Sequence, residues 1–441
     1  MSKTIIIGGS FAGLSCAVEA KGLYPEMEVL VFDKETTSGF IPSGVNLALN
    51  QEVKQLSDAT FLTEKAVRGA GVQLHLEQEV MAIDFAAKWV QVRHTKTEEV
   101  KQYAYDQLVL AMGSLQTGHL TAHLRDKQIV STKTLRSAEE ALAVLEEAQQ
   151  IVVIGGGQIG IEASEALVNA NKYVTLIEAN PTVAYRYFDE EFVADIQQAI
   201  EFTGVDLRVN TKVEAVETEP LKVVTEDDEL YPEAVIMGTN LVPNTLLVAE
   251  DLRLNADKTI WTTPYLETSV TDVFAIGDLV QAPYMAEEQR FIALVNNAIR
   301  SGQVAAFNLL QRRIEQPVSL RVIGSRVFSQ YITSIGQTEH EARQNGDCLA
   351  VTVEAAYSLT DATPVYLKLV VEQESGRILG AQMRSEQNIL HFADTLALAV
   401  QQRLTDAQLA FQDRLYYPRE TSADPIIYRA ALMSFSQRLS K

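Results

Sequence analysis

The sequence predicts an α/β protein with two doubly wound domains and a smaller α+β domain at its C-terminal end. Two stretches carry the doubly wound prediction, because Thr4–Asp33 and Ile151–Glu178 each read as strand, glycine-rich turn, helix, strand and terminal acid. The third observation is that the chain changes character at about Arg321. It then alternates in hydrophobicity like a strand-rich domain and has no glycine fingerprint.

The first unit begins with Thr4–Ile7, an apolar run of β-branched residues that predicts a buried strand. The turn Gly8–Gly13 follows, then helix-forming residues in Leu14–Lys21 and a second buried strand, Val29–Phe32. Asp33 ends that strand. Glycines allow the backbone to approach a pyrophosphate at the helix N-terminus, and the acid can accept both hydroxyls of an adenosine ribose. The unit therefore predicts dinucleotide binding. The alternative is a plain βαβ packing turn, and Ser10 replaces the middle glycine of the strict pattern.

The segment after this unit predicts helices at Val45–Asn50 and Thr60–Gly71. Alternating stretches predict strands at Val72–Leu76, Val80–Phe85, Trp89–His94 and Glu99–Tyr105, and Gln107–Gly113 predicts a buried strand that ends in glycine.

The second unit has the full G-x-G-x-x-G pattern in Gly155–Gly160. Ile151–Ile154 is the predicted strand before it, Ile161–Asn171 the helix and Tyr173–Ile177 the next strand, which ends in Glu178. A carboxylate at this position repels a 2′-phosphate, so the unit predicts binding of NADH rather than NADPH. Arg186 is the one nearby cation that could reverse this preference.

Two dinucleotide folds imply two dinucleotides, and we expect FAD and a nicotinamide cofactor. Ala234–Gly238 predicts another strand that ends in glycine. A further strand ends in Gly277-Asp278, which lets the backbone approach a ligand and places a carboxylate beside it. We expect Asp278 to contact the ribityl or pyrophosphate part of FAD; the alternative is an ordinary turn after a strand. The predicted helix Ala293–Leu310 would start at the same crevice.

The C-terminal part predicts a separate α+β domain for contact between subunits. Its predicted strands are Val322–Phe328, Ile332–Ile335, Cys348–Ala356, Val365–Glu372 and Ile378–Met383, and its predicted helices are Asn388–Arg403 and Thr405–Leu409.

Composition narrows the class of protein. The chain has 441 residues and a net charge of −21, which disfavours nucleic acid and anionic membranes as partners. Two cysteines suggest a reducing compartment. No signal peptide and no apolar stretch of membrane-spanning length is visible, so we expect a cytoplasmic protein. The six histidines show no metal-ligand spacing, and His119 and His123 are expected in a solvated loop.

The order of these motifs resembles the pyridine nucleotide-disulfide oxidoreductases, in particular the NADH oxidase, NADH peroxidase and coenzyme A-disulfide reductase branch. The resemblance covers essentially the whole chain, and its other carriers are Val235–Thr245, Asp272–Asp278, Ala293–Gly302 and Tyr416-Tyr417-Pro418. It implies an FAD domain at residues 1–114 and 235–320, an NADH domain at 115–234, and a dimerisation domain at 321–441. It also implies a homodimer whose partner contributes to the active site near Tyr416–Pro418.

The resemblance also implies the residues that hold each cofactor. For FAD these are Gly8, Ser10, Ala12, Gly13, Asp33, Lys34, Ser43, Val80, Ala111, Gly113, Gly277, Asp278, Leu294, Val295 and Asn296. For NADH they are Gly155, Gly157, Gln158, Ile159, Gly160, Glu162, Glu178 and Gly238.

Three positions depart from that family. Ser43 stands at the position of the redox-active cysteine, Phe11 at that of a histidine, and Gln158 at that of a tyrosine that covers the flavin. A serine cannot form a sulfenic acid or a disulfide, so thiol-based reduction of peroxide or of coenzyme A disulfide is disfavoured. Cys16 and Cys348 are expected to be inert. Ser43 and Phe11 remain the flavin-adjacent candidates, and Ser43 is either a hydrogen-bond donor or a small polar filler.

Two functions stay open from the sequence. The first is an FAD-dependent NADH oxidase or NADH:acceptor oxidoreductase that passes hydride from NADH to FAD. The electrons then go to oxygen, with hydrogen peroxide as the expected product, or to a quinone or another small acceptor. The second is a dimer that binds FAD and NADH with little turnover and acts as a sensor or partner module.

Overall fold

The protein is described by a computed structural model, which covers residues 2–116, 126–238, 241–285, 288–416 and 425–440. Two compact units divide the chain. Unit 1 consists of Met1–Ala148 and Thr239–Ser319, and unit 2 consists of Gln149–Gly238 and Leu320–Lys441. The predicted division into FAD, NADH and dimerisation domains, with its boundaries, stays a prediction.

The described residues form eleven α-helices. In chain order, α1 to α11 are Phe11–Leu23, Gly44–Leu49, Glu64–Gly69, Leu135–Glu147, Gln158–Asn169, Glu190–Phe202, Val295–Asn308, Glu339–Asn345, Phe392–Gln401, Asp406–Ala410 and Ile426–Leu439. Short 3₁₀ turns lie at Leu56–Asp58 and Gly277–Leu279.

The same residues form twenty-five strands. In chain order, β1 to β25 are Lys3–Ile7, Glu28–Phe32, Gln73–His75, Gln78–Asp84, Trp89–His94, Val100–Ala104, Gln107–Leu110, Ser114–Gln116, Ile129–Val130, Gln150–Ile154, Tyr173–Ile177, Asp206–Arg208, Val213–Thr218, Leu221–Thr225, Glu229–Leu230, Ala234–Met237, Leu241–Pro243, Val273–Ala275, Gln281–Tyr284, Glu288–Phe291, Ile323–Val327, Gln330–Gly336, Cys348–Ala356, Pro364–Glu372 and Ile378–Ser385.

Unit 1 is built on a parallel sheet in the order β18-β7-β1-β2-β3. Its central strand is apolar on both faces, with Ile5 and Ile6 fully buried, as expected for a sheet covered on both sides. Three antiparallel strands, β4 to β6, form a separate small sheet. The carboxyl ends of β1, β2, β7 and β18 therefore meet along one edge, where ligands bind in doubly wound sheets.

Helices α1 and α7 pack against each other in unit 1 at very short range. A Cβ at Gly302 of α7 would lie 2.3 Å from the carbonyl oxygen of Ala12 in α1. The absence of a side chain at Gly302 is thus what allows the two backbones to touch, and it fixes α1 over the sheet edge.

Unit 2 contains a second parallel sheet and a larger antiparallel one. The strands β12-β11-β10-β16 are parallel neighbours, which repeats the design of unit 1. A five-stranded antiparallel sheet follows in the order β21-β22-β25-β24-β23. The predicted α/β class with two doubly wound sheets and a C-terminal α+β part is confirmed.

Several predicted element boundaries are wrong by a few residues. The helix predicted at Thr60–Gly71 is only Glu64–Gly69, because the side chain of Thr63 accepts a hydrogen bond from the N–H of Ala66 and caps it there. The helix predicted at Asn388–Arg403 is only Phe392–Gln401. His119, His123, Tyr417 and Pro418 lie outside the described residues.

Candidate functional site

The first glycine turn connects β1 to α1 in unit 1. Gly8 has a φ of 113°, a conformation that favours glycine, and its N–H donates to the carbonyl of Phe32 at 2.9 Å. A Cβ at Gly8 would lie 2.3 Å from the carbonyl oxygen of Ala111, and one at Gly13 would lie 1.9 Å from that of Gly8. The turn thus lets α1 start directly against the ends of β1 and β7.

Asp33 closes this turn from the end of β2. Its Oδ2 accepts the N–H of Gly9 at 2.5 Å and its Oδ1 accepts the N–H of Glu35 at 2.9 Å. Burial raises the pKa of the Asp33 carboxyl, while the two N–H donors and Lys34 oppose that rise. The backbone therefore holds the carboxylate plane in place at the edge of the turn.

Ser114 follows β7 and Asp278 follows β18, so both lie near the carboxyl ends of the parallel strands of unit 1. The hydroxyl of Ser114 donates to Oδ2 of Asp278 at 2.6 Å, and Nζ of Lys133 donates to the same hydroxyl at 2.6 Å. Burial raises the pKa of Asp278, and these two neighbours act against it. Gly277 lies beside the turn, because a Cβ there would lie 3.0 Å from that of Ala12.

Ser114 and Lys133 were not found from the sequence. A serine and a lysine 19 residues apart form no sequence motif, and only the fold brings their side chains together. The other residues predicted for FAD also lie in unit 1: Lys34 after β2, Val80 in β4, Gly113 after β7, and Leu294, Val295 and Asn296 at the start of α7.

The second glycine turn, in unit 2, repeats the first. Gly155 has a φ of 106° and its N–H donates to the carbonyl of Ile177 at 2.7 Å. A Cβ at Gly160 would lie 1.9 Å from the carbonyl oxygen of Gly155, and one at Gly238 would lie 3.0 Å from it. Over Gly157, in contrast, nothing lies within 4 Å of an added Cβ. Neighbouring backbone therefore crowds Gly160 and Gly238, whereas the space beside Gly157 is open.

Glu178 accepts a backbone N–H of the second glycine turn, as Asp33 does in the first. Its Oε2 accepts the N–H of Gly156 at 2.7 Å, and its Oε1 accepts the N–H of Asn180 at 2.7 Å and the side-chain amide of Asn180 at 2.5 Å. The loop that follows folds back on the turn, because the N–H of Ala184 donates to the carbonyl of Gly156 at 2.7 Å. Arg186 lies exposed on this loop.

Gln158 and Glu162 lie one helical turn apart at the start of α5. The side-chain amide of Gln158 donates to Oε1 of Glu162 at 2.9 Å. The hydroxyl of Ser325, in β21, donates to the same oxygen at 2.5 Å. Ser325 was not found from the sequence, since it lies 163 residues away along the chain. Ile159, also predicted to contact NADH, is 46% exposed.

The predicted flavin-adjacent residues lie at the starts of two helices of unit 1. Ser43 is exposed and directly precedes α2. Phe11 begins α1, and its ring lies 5.2 Å from that of Phe61 between centroids. The thiols of Cys16 and Cys348 are both free and buried. Burial raises the pKa of Cys16 to about 12 and also raises that of Cys348. Neither thiol has the exposure or the low pKa that thiol reactivity requires.

Both turns fit the pyrophosphate of a dinucleotide. Neither α1 nor α5 has a side-chain cap at its N-terminus or an acidic residue in its first turn. The α3, α4, α8 and α10 helices, in contrast, are each capped by a threonine side chain. Uncapped N–H groups behind a glycine turn form an anion site, and the acids Asp33 and Glu178 can accept ribose hydroxyls.

Comparison with known proteins gives the family. The family model "pyridine nucleotide-disulphide oxidoreductase" matches residues 2–302, and the model of its dimerisation domain matches residues 324–423. An NADH oxidase of Enterococcus faecalis is 28% identical over 425 residues, which cover 94% of this chain and 95% of that protein. An NAD(P)H coenzyme A polysulfide/persulfide reductase of Pyrococcus horikoshii is 30% identical over 450 residues, covering 98% of each chain.

Solved structures agree with this result. A water-forming NADH oxidase from Lactobacillus brevis, bound to NADH, has a TM-score of 0.93 and 26% identity, covering 100% of this chain and 99% of that one. A pyridine nucleotide-disulfide family oxidoreductase from Enterococcus faecalis has a TM-score of 0.88 and 31% identity, with 100% of each chain covered. Among the described residues, none of the helices combines the length and the apolar composition that a membrane span requires. The predicted oxidoreductase class is confirmed, and the chain belongs to the pyridine nucleotide-disulphide oxidoreductase family.

Proposed function

We propose that the chain is an FAD-dependent NADH oxidase that returns its electrons to oxygen as hydrogen peroxide. The matches to NADH oxidases support FAD and NADH as cofactors and oxygen as the acceptor. Bound FAD supplies the ring that accepts hydride from NADH and gives electrons to a small acceptor. We assign the binding of FAD to Gly8–Gly13 with Asp33 and Asp278, and the binding of NADH to Gly155–Gly160 with Glu178.

One observation carries the choice of product. Ser43 occupies the position at which the resembling enzymes carry a redox-active cysteine, and both cysteines of the chain are buried with raised pKa values. Without an accessible thiol the protein has no group that can be oxidised to a sulfenic acid and reduced again. The flavin is then the only electron carrier, and two electrons fully reduce each subunit.

Anaerobic reduction tests this proposal. NADH should reduce the bound flavin within milliseconds in a stopped-flow experiment, and dithionite titration should end at two electrons per subunit. A four-electron endpoint would contradict the flavin-only mechanism and point back to Cys16. Reduction of the flavin over minutes would favour the alternative, a sensor or partner module that binds FAD and NADH with little turnover. Rapid turnover that requires a quinone or another small molecule would exclude oxygen as the acceptor.

A homodimer and a cytoplasmic location belong to the same proposal. The match to the dimerisation domain supports assembly of two chains through the C-terminal part, and we place the partner's contribution near Tyr416–Pro418. The net charge of −21 and the two free cysteines support a location in the reducing cytoplasm, away from anionic surfaces.

Glu178 should make the enzyme prefer NADH to NADPH. Its carboxylate accepts ribose hydroxyls and repels a 2′-phosphate. Glu178→Ala should therefore lower kcat/KM for NADH about ten- to hundredfold, since a hydrogen bond to a charged group contributes about 1.5–3 kcal/mol. The same change should leave or raise kcat/KM for NADPH. The exposed Glu201, at the far end of α6, gives the control Glu201→Ala, which should change neither value. A wild-type preference for NADPH would overturn the assignment and make Arg186 the group that binds the 2′-phosphate.

A further inference from the structure

Glu162 is held from two sides by segments that are far apart in sequence. Its Oε1 accepts the amide of Gln158 at 2.9 Å from within α5, and the hydroxyl of Ser325 at 2.5 Å from β21. Both donors bind the same oxygen. Among the residues that the structure describes, none donates a hydrogen bond to Oε2 of Glu162, and the side chain is partly exposed.

The two donors, Gln158 and Ser325, are held in place by their own surroundings. The amide of Gln158 lies 3.4 Å from the carbonyl oxygen of Gly324, next to Ser325 in β21. One turn along the same helix face, Oε1 of Glu165 accepts the N–H of Phe328 at 2.8 Å. Ser325 is 7% exposed, so water competes little for its hydroxyl. Helix α5 is therefore tied to β21 through Glu162 and to Phe328, the residue after β21, through Glu165, and these bonds restrict the orientation of the Glu162 side chain.

The position of Glu162 in α5, relative to the second glycine turn, indicates which part of the cofactor it binds. Glu178 lies against Gly156, with its Cβ 2.9 Å from an added Cβ there, and is assigned to the adenosine ribose. Gly157 provides the open space for the pyrophosphate, and Gln158 and Glu162 follow it in the helix. NADH offers hydrogen-bond donors beyond its pyrophosphate only in the nicotinamide riboside half, in the ribose hydroxyls and the carboxamide.

We propose that Ser325 is a positioning residue that, together with Gln158, orients Glu162 to accept hydrogen bonds from the nicotinamide riboside half of NADH. The inference rests on the proposed binding of NADH at Gly155–Gly160 and adds to it a residue from the C-terminal sheet. Ser325 does not touch the cofactor in this account. It acts through the carboxylate, so its removal should weaken one half of the dinucleotide selectively.

Calorimetric titration of the FAD-loaded protein with three probes separates the halves of the cofactor. NAD⁺ carries the ribose and the carboxamide, ADP-ribose carries the ribose alone, and ADP carries neither. In Ser325→Ala, the Kd for NAD⁺ should rise about five- to tenfold while the Kd for ADP stays at the wild-type value. The ADP-ribose arm then assigns the lost contact: a rise equal to that of NAD⁺ identifies the ribose hydroxyls, and no rise identifies the carboxamide.

A matched serine supplies the control. Ser334, in the neighbouring strand β22, is 3% exposed and donates its hydroxyl to the carbonyl of Tyr187 at 2.5 Å, so Ser334→Ala removes a comparable bond away from Glu162. It should leave the ratio of the two Kd values unchanged. Ser325→Thr, which keeps a hydroxyl, should restore most of the NAD⁺ affinity, and Gln158→Leu should reproduce the selective loss from the helix side.

Equal changes in the NAD⁺ and ADP affinities of Ser325→Ala, or no change in either, would overturn the inference. Those outcomes leave the proposed function standing as long as the wild-type protein binds NAD⁺. Failure of the wild-type protein to bind NAD⁺ would instead refute the proposed function itself.

Discussion

Lys368→Met is expected to lower the free energy of unfolding by about 3–5 kcal/mol, because it removes a buried cation from a group of three carboxylates and leaves the buried Asp189 without its ion pair. The side chain of Lys368 is 2% exposed, and its Nζ lies 3.0 Å from Oδ2 of Asp189 and 2.6 Å from Oε2 of Glu339; it also pairs with Glu191. These three carboxylates lie close enough together to hold a cation, and Lys368 supplies it. Methionine keeps the length of the side chain but leaves the acids unpaired. Urea unfolding followed by circular dichroism measures the loss.

The same variant should change the acid sensitivity of the protein. Burial alone would raise the pKa of Asp189, but the N–H of Glu339 and the Lys368 ammonium outweigh burial and hold that pKa below its usual value. The pKa of Glu339 is also lowered, because Lys368 and Arg343 outweigh the effect of its burial. A depressed pKa contributes stability above the unfolded value of about 4, and that contribution is lost as the pH falls through the folded value. The wild type should therefore lose more stability than Lys368→Met between about pH 5 and pH 3.

An exposed lysine serves as the control. Lys96 pairs with Glu77, but its side chain is 68% exposed, so Lys96→Met should leave the stability close to that of the wild type. Similar losses for the two variants would show that the Lys368 group is not a stabilising element of unit 2.

Gly302→Ala is expected to destabilise unit 1 by about 2–4 kcal/mol and to release FAD. The added Cβ would lie 2.3 Å from the carbonyl oxygen of Ala12 and 3.1 Å from the amide nitrogen of Cys16, both backbone atoms that cannot rotate away. Helices α1 and α7 must then separate, and the N-terminus of α1, where we place the FAD pyrophosphate, moves with them. Thermal unfolding and the flavin absorbance retained after dialysis report the two effects.

Gly22 provides the matched control within α1 itself. Nothing lies within 4 Å of a Cβ added there, so Gly22→Ala should be neutral or should stabilise by about 0.5–1 kcal/mol through the helix propensity of alanine. Full retention of FAD and an unchanged melting temperature in Gly302→Ala would show that the close contact of the two helices is not needed for the site.

Local patterns in the sequence predicted the parts of the fold that depend on short stretches of chain. The two glycine turns and the acids Asp33 and Glu178 lie within single βαβ units, where period and spacing specify the geometry. Helix ends were predicted less well. The sequence predicted a helix at Thr60–Gly71, although the Thr63 cap starts it at Glu64 and it ends at Gly69.

Contacts between distant segments could not be predicted in this way. Ser114 and Asp278 are 164 residues apart, and Glu162 and Ser325 are 163 apart, yet each pair forms a hydrogen bond. Nothing in the local composition around Lys133 or Ser325 distinguishes them from other polar residues. Their roles follow only from the tertiary structure, in which β7 and β18 are neighbouring strands and β21 packs against α5.

The identity of residue 43 has the most direct chemical consequence. Ser43 stands at the position of the redox-active cysteine of the resembling enzymes, and serine lacks the oxidation states through which a thiol can reduce peroxide. Peroxide formed at the flavin of this protein should therefore leave the site unreduced.

The yield of hydrogen peroxide per NADH consumed tests this account most directly. Oxygen uptake and NADH oxidation are followed together in the FAD-loaded wild-type protein, and catalase is added at the end to return oxygen from any peroxide present. We predict about one peroxide per NADH, with half of the consumed oxygen recovered on addition of catalase. A yield near zero during rapid turnover would contradict the account, since the protein would then be reducing oxygen to water without a cysteine at residue 43.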